Sequence, residues 1–397
     1  MTSMPGQSQS TTDVPSAGAG ERILVTGATG FLGQQIIGVL LEKLPKARLV
    51  VFVREKKGQS VQERLHTMVN MVAASHKRDE VLSRIEVFPS DDISAERCGL
   101  SPDDYRAVAS GLTRIIHSAA TVRFDHPLDY ARRINVGGTR NVLDLAEEAV
   151  KNGTLRSFTY IGTAFVAGER SGLVREDELD VGQKFRNTYE KTKCEAEKLV
   201  RSRMGAIPTV ITRPSIIVGD SRTGETTSFK TLYWPLKIYV KYKWRTVPAS
   251  PDGVIDIVPV DFVAEAVVAL SLDTNAIGGC FHLCAGHERC TTLGGITRAA
   301  ASFFSLKPPR YVNPNLFVAI LRPLLYATVW GRGRRILRDA AMYRPYFQVK
   351  TLFDTARTEK MLAARGVRSP DVSQYLEKLF RFCRETDWGT RLPARRL

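Results

Sequence analysis

Cysteine is scarce in this chain: six among 397 residues. That is too few for a disulfide scaffold, and free thiols point to a reducing compartment, so a cytoplasmic protein is expected. Long apolar runs are missing too. No stretch reaches the roughly 18 residues of a membrane-spanning helix, and the longest, 316–330, is interrupted by Arg322 and Pro323. There is no internal repeat. Acidic residues are outnumbered, 41 Asp and Glu against 57 Lys and Arg, leaving a net charge of +16. An excess of that size points to an anionic partner: a phosphate-bearing cofactor, nucleic acid or a membrane surface. Residues 309–397 hold 18 basic against 7 acidic residues, a net of +11. With 43% hydrophobic and 25% charged residues the composition is ordinary and globular, which excludes a disordered or collagen-like chain.

Residues 1–20 are rich in Ser, Thr, Gly, Pro and Gln, with Asp13 the only charge. They lack the basic start and apolar centre of a signal peptide, and a disordered leader is expected. From 21 onward short apolar runs alternate with helical spacing. Strands are expected at 22–27, 48–53, 84–88, 114–117, 155–161, 207–212 and 279–283. Helices are expected after Gly30 and at 61–74, 102–110, 130–151, 187–204 and 262–271, the last capped by Asp261. This alternation predicts an α/β fold, a doubly wound parallel sheet of Rossmann type over 21–290, with a substrate loop at 220–255. A smaller, mainly helical and basic substrate region follows at 291–397.

The first strand opens into Thr26-Gly27-Ala28-Thr29-Gly30-Phe31-Leu32-Gly33 and then a helix. Glycines three apart allow a tight turn and let the backbone approach a pyrophosphate, which the helix N-terminus then binds. The spacing departs from Gly-x-Gly-x-x-Gly, yet the strand-turn-helix context predicts dinucleotide binding. An NAD reader places an acid at the end of the second strand. Here that strand ends Val53-Arg54-Glu55-Lys56, with Arg64 beyond. Basic residues suit a 2′-phosphate, so NADP(H) is expected, with NAD(H) kept open by Glu55.

Tyr189-Glu-Lys-Thr-Lys193 opens the helix after the fifth strand, so Tyr189 and Lys193 share one face. An ammonium near a phenol favours phenolate and brings the hydroxyl toward working pH. Thr163 follows the fifth strand, at the carboxyl end that faces the crevice, where a hydroxyl can bond a developing alkoxide.

These segments resemble the extended short-chain dehydrogenase/reductases. Thr-Gly-x-x-Gly-Phe-Leu-Gly, Thr163 and Tyr189-x-x-x-Lys193 carry the resemblance, together with Asp92-Ile93 and Arg213-Pro214-Ser215-Ile216-Ile-Val-Gly219. His117-Ser-Ala119-Ala-Thr-Val-Arg-Phe-Asp125 and Asn187-Thr-Tyr-Glu-Lys-Thr-Lys193 further resemble fatty acyl-CoA reductases and the thioester reductase domains of carrier-protein synthetases. The match covers about 21–275. The resemblance implies that Thr163, Tyr189 and Lys193 are catalytic. It implies a cofactor site of Gly27, Thr29, Gly30, Phe31, Leu32, Arg54, Arg64, Asp92, Ile93, Ala119, Tyr189, Lys193, Pro214 and Ile216. Asn135 is read as structural, bonding the backbone of the neighbouring strand. The implied activity is an NADPH-dependent reduction of a hydrophobic carbonyl, foremost a fatty-acyl or polyketide thioester of CoA or an acyl carrier protein. Ketone or quinone reduction and sugar-nucleotide epimerisation use the same core and stay open.

Three further features have two readings each. Cys280, His282, Cys284, His287 and Cys290 invite a zinc site, but lack the paired spacing of structural zinc, and no metal is expected. The aromatic and basic stretch from Phe229 to Arg245 reads as a substrate loop or a helix packed on the sheet. No nucleic-acid module accompanies it, so nucleic acid is not expected. The apolar segment 317–330, with Arg332, Arg334, Arg335 and Arg338 beyond, reads equally as an interfacial helix in peripheral contact with anionic lipid or as a packed helix with solvated arginines.

Overall fold

A computed structural model describes residues 20–391, apart from 57, 74, 244 and most positions within 318–348. The expected leader, Gly20 excepted, and most of the basic apolar segment, including Arg332 and Arg335, lie outside the described residues.

Seven strands form one parallel sheet. They are β1 (Arg22–Thr26), β2 (Arg48–Val53), β3 (Ile85–Pro89), β4 (Arg114–His117), β5 (Ser157–Ile161), β6 (Thr209–Pro214) and β7 (Cys280–Leu283). Their order is β7-β6-β5-β4-β1-β2-β3. The strand sequences are nearly unbroken apolar runs because helices cover both faces of the sheet, leaving no side for water. One core packs α1 (Phe31–Lys43), α2 (Val61–Val72) and α5 (Val260–Ser271) against the sheet, with Ile23, Ile36, Val51 and Val263 inside. The other packs α3 (Gly138–Lys151) and α4 (Thr188–Ser202), burying Leu24, Leu143, Tyr160 and Val200. The order reverses between β1 and β4, with Thr26 opposite His117 in register. A crevice therefore opens outside their carboxyl ends.

A third core joins the Tyr233–Lys241 helix, the Leu293–Phe303 helix and α6 (Val372–Glu385). Tyr233 and Tyr239 of the aromatic stretch are buried there. The Tyr233 hydroxyl accepts from the Gly219 amide at 2.8 Å, and that of Tyr239 donates to the Lys307 carbonyl at 2.9 Å. These two rings are core. Between the second and third of these helices, Thr351–Phe353 pairs in parallel with Gly172–Val174 in a separate two-stranded sheet.

One local expectation is refined and one corrected. The helix expected at 130–151 starts at Leu128 and runs unbroken, but it contains a π-turn, Arg133–Gly137, before α3 starts. At that junction Gly138 lies against Ile93, whose Cγ2 would stand 3.0 Å from an added Cβ. Asp261 is not a cap. The helix starts two residues earlier, at Val260 after an extended Pro259, and the Asp261 carboxylate accepts from the Ser221 amide at 2.9 Å and hydroxyl at 2.5 Å.

In α1, Gly33 lies on the Gly27 carbonyl, and an added Cβ would stand 2.1 Å from that oxygen. Such an overlap with backbone cannot relax by rotating a side chain. Gly33→Ala is expected to lower the melting temperature and abolish dinucleotide binding, read by thermal denaturation and fluorescence titration. Unchanged values for both would refute this packing.

Candidate active site

At Gly27 the backbone is left-handed, φ +72°, and an added Cβ would stand 2.9 Å from the Ala119 nitrogen. Only glycine allows so close an approach of the β1 loop to the end of β4. Thr26 closes the contact. Its Oγ1 accepts from the Ser118 and Ala119 amides, each at 3.2 Å, and lies 2.8 Å from His117 Nδ1. Burial, with the charge of Lys193 adding to it, pushes the His117 imidazole down to about 3, so it is neutral. With Nδ1 accepting from Thr26, its proton sits on Nε2 and is given to Thr139 Oγ1 at 3.1 Å.

The same loop fits a dinucleotide. Gly30 at the α1 N-cap offers no side chain, and no acidic residue stands in the first turn. The helix-start N–H groups of Phe31 and Leu32 have no intrahelical acceptor and no competing carboxylate in the first turn. Arg64 donates to Thr29 Oγ1 at 2.8 Å and to the Arg54 carbonyl. Among the described residues, no ion pair engages Arg54 or Arg64. Burial, then the neighbouring Arg54 charge, hold the Arg64 guanidinium below its usual range. Two cations thus adjoin the end of β2. Asp92 is turned into its own loop, accepting from the Ser94 amide at 2.9 Å, the Ser94 hydroxyl at 2.5 Å and Arg133. Ile93 packs on Gly138, and Ile216 pairs with Ile257.

Thr163, Tyr189 and Lys193 come together at the carboxyl end of β5. The buried Thr163 hydroxyl accepts from the Phe165 amide at 3.3 Å, lies 3.4 Å from the Pro214 carbonyl and stands near enough to the Tyr189 phenol to pull on its titration. Burial pushes that phenol up to about 12, against the pull of Thr163 and with a push from Glu190. Lys193, one turn on, is buried, donates to the Ile161 carbonyl at 2.8 Å and lies 4.3 Å from the centre of the Tyr160 ring. Burial brings its ammonium down to about 7, opposed by the Glu197 charge.

Residues outside the expected set complete the site. Asn135, in the π-turn, accepts from the Thr121 amide at 2.8 Å and donates to Thr192 Oγ1 at 3.0 Å, tying the loop after β4 to α4. Phe124 has its ring centre 6.0 Å from that of Tyr189 and 5.4 Å from that of Tyr346, which reaches in from the C-terminal segment. No spacing in the sequence marks Phe124 or Tyr346. The histidine and cysteine run is engaged otherwise. His282 bonds the Asp354 carbonyl at 2.8 Å and stands 3.3 Å from Arg213, itself paired with Glu197 at 2.6 Å. Among the described residues, no three His, Cys, Asp or Glu are grouped to hold a metal. No described helix is long and apolar enough to cross a membrane.

Residues 25–267 match the family described as Male sterility protein. The chain belongs to this family. It carries an NAD(P)-binding domain of the extended short-chain dehydrogenase/reductase type, which suits a nicotinamide dinucleotide. The Drosophila melanogaster protein "Fatty acyl-CoA reductase wat" is 30% identical over 63% of this chain and 54% of its own length. This chain thus spans about half of that relative. "Probable fatty acyl-CoA reductase 4" of Arabidopsis thaliana is 24% identical over 92% of this chain and 94% of its own length. The crystal structure of the terminal R domain from the myxalamid PKS-NRPS biosynthetic pathway superposes with a TM-score of 0.78, at 26% identity, over 93% of this chain and 91% of that one. In this male sterility family member the matched span holds Thr163, Tyr189 and Lys193 and ends within α5. Tyr346 lies beyond it.

Lys193 has a consequence for stability. Its folded value, about 7, lies below the unfolded 10.5. Between those values the unfolded chain binds the extra proton, so the Lys193 contribution to stability rises with pH from about 7 to 10 and is least favourable below 7. Lys193→Met removes that dependence. The stability difference, wild type minus variant, is expected to grow across this window in urea unfolding at graded pH. A flat difference would contradict the buried ammonium.

Proposed function

We propose that this chain reduces a hydrophobic acyl thioester, of CoA or a carrier protein, with NADPH. The observation that carries the reading is the meeting of Thr163, Tyr189 and Lys193 at the carboxyl end of β5. There burial keeps the phenol protonated, the state a reductase needs in its acid. Phe124 and Tyr346 form an aromatic wall beside it, suited to an apolar acyl group. Thioester chemistry is favoured over a free ketone by the names of the relatives, which are acyl-CoA reductases, and by the R-domain neighbour.

The nicotinamide, when bound, supplies a hydride to the carbonyl carbon. Tyr189 gives its proton to the carbonyl oxygen, and Thr163 holds that oxygen by a hydrogen bond while negative charge develops. Lys193, as ammonium, stabilises the phenolate left on Tyr189 and binds ribose. The resulting hemithioacetal loses its thiol as the C–S bond breaks and the hydroxyl proton passes to sulfur, leaving the aldehyde. The N–H groups at the start of α1 hold the pyrophosphate, and Arg54 and Arg64 take the 2′-phosphate. Net charge +16 supports attraction of CoA or an acidic carrier protein.

NADPH oxidation is the test, measured against acyl-CoAs, carrier-bound acyl groups, ketones and quinones. Turnover of ketones or quinones alone would overturn the thioester reading. Tyr189→Phe is expected to lower kcat by about 10²- to 10⁴-fold with cofactor affinity nearly intact. Near-wild-type turnover would remove Tyr189 from the mechanism. Arg54→Asp is expected to weaken NADPH and improve NADH relative to it, because a carboxylate repels the 2′-phosphate and accepts from a 2′-hydroxyl. Comparing kcat/KM for both cofactors checks this. A wild type that already prefers NADH would refute the NADPH assignment.

A further inference from the structure

The first turn of α4 is completed by a residue far downstream. Asn187 caps the helix, its Oδ1 accepting from the Glu190 amide at 2.9 Å. Its Nδ2 donates to the Tyr346 hydroxyl at 2.5 Å, and that hydroxyl donates to Glu190 Oε1 at 2.6 Å. The Glu190 side chain is wholly buried. Its other partner is Arg186, through the amide to Oε2 at 3.0 Å and the guanidinium to Oε1 at 3.4 Å. That guanidinium also lies 5.7 Å from the centre of the Tyr346 ring. The ring is held on two further sides, stacked 5.4 Å from Phe124 and edge-on 5.7 Å from Phe165. Tyr189 stands between the cap and the buried carboxylate. One hydroxyl, 156 residues away from Glu190, therefore bridges both anchors of the turn that carries the proton donor.

We propose that Tyr346 is a positioning residue, its hydroxyl seating the C-terminal segment on the start of α4 and holding the Tyr189 phenol against Thr163. This rests on the reductase reading above and deepens it. Without that hydroxyl the cap amide loses its acceptor and Glu190 loses a donor inside the protein, where neither is replaced cheaply by water. The first turn of a helix depends on such partners, having no intrahelical acceptors for its own N–H groups. Arg186 still neutralises Glu190, so the fold survives while the turn loosens. Through this contact the C-terminal segment, outside the matched span, decides whether the acid is aimed.

Tyr346→Phe tests this, since it keeps the ring and removes only the hydroxyl. kcat is expected to fall about ten-fold or more, as misplacements of about 1 Å cost up to about 10²-fold, with KM for NADPH unchanged. In the ligand-free variant, amide hydrogen exchange over 188–193 is expected to quicken while β4 keeps its protection. Adding Glu190→Ala to Tyr346→Phe should cost little more than Glu190→Ala alone, because the groups act as one unit. Glu190→Gln, which still offers the hydroxyl an acceptor, is expected to retain more kcat than Glu190→Ala. Wild-type kcat and exchange in Tyr346→Phe, an effect on KM alone, or a Glu190→Gln as impaired as Glu190→Ala would each overturn the proposal. If the wild type oxidises NADPH with no carbonyl of the panel, the reductase reading falls. Exchange over 188–193 still decides the positioning role.

Discussion

The neutral imidazole of His117 holds the two halves of the site together. On one side its Nδ1 receives the Thr26 hydroxyl proton, while Thr26 receives the Ser118 and Ala119 amides, so the glycine loop cannot separate from the end of β4. On the other side its Nε2 reaches Thr139, whose hydroxyl donates to the Asn135 carbonyl at 2.6 Å. Asn135 then bonds Thr192, which donates to the Thr188 carbonyl at 2.8 Å in the first turn of α4. A continuous line of hydrogen bonds thus runs from the dinucleotide loop to the helix that carries Tyr189 and Lys193. It works only while the ring is uncharged, since an imidazolium would have no acceptor for Thr26 to donate to. Complete burial beside Lys193 ensures that. Low dielectric makes each link stronger and each broken link costlier.

The C-terminal segment is bound to this frame by buried polar contacts rather than by apolar area alone. The Glu176 carboxylate accepts from the Arg357 amide at 3.0 Å and the Thr358 amide at 3.2 Å, at the start of the Ala356–Ala363 helix, and from the His282 amide at 3.0 Å. Its charge meets the positive end of that helix. Beside it Arg213 and Glu197 form a fully buried pair. Such pairs gain little net stability, yet leaving one partner alone is expensive, so they select one arrangement over others. Tyr346 adds the attachment nearest the chemistry. The charged groups inside the protein therefore orient α4 and the C-terminal segment about Tyr189.

The strands were legible because burial on both faces writes itself into short apolar runs, and the glycine loop because a strand-turn-helix needs glycine where backbones touch. Tyr189 and Lys193 were legible because helical spacing places i and i+4 on one face. Asp261 misled for a local reason: Pro259 fits the extended N-cap conformation, so the helix begins two residues early and the carboxylate turns to Ser221. The aromatic stretch 229–245 has too few turns to show which rings face the third core, and burial of Tyr233 and Tyr239 depends on α6, well over a hundred residues on.

What the sequence by itself determined is what repeats over a few residues: the alternation that makes a doubly wound sheet, the dinucleotide loop, and the Thr, Tyr and Lys beside it. What only the tertiary structure decided is who completes their surroundings. The π-turn that presents Asn135, the protonation of His117, the low ammonium of Lys193 and the seat of Tyr346 on Glu190 all follow from burial and from contacts between distant segments. Periodicity carries no record of such contacts, because the electrostatic cost of a buried group depends on what closes over it rather than on what stands next to it in the chain.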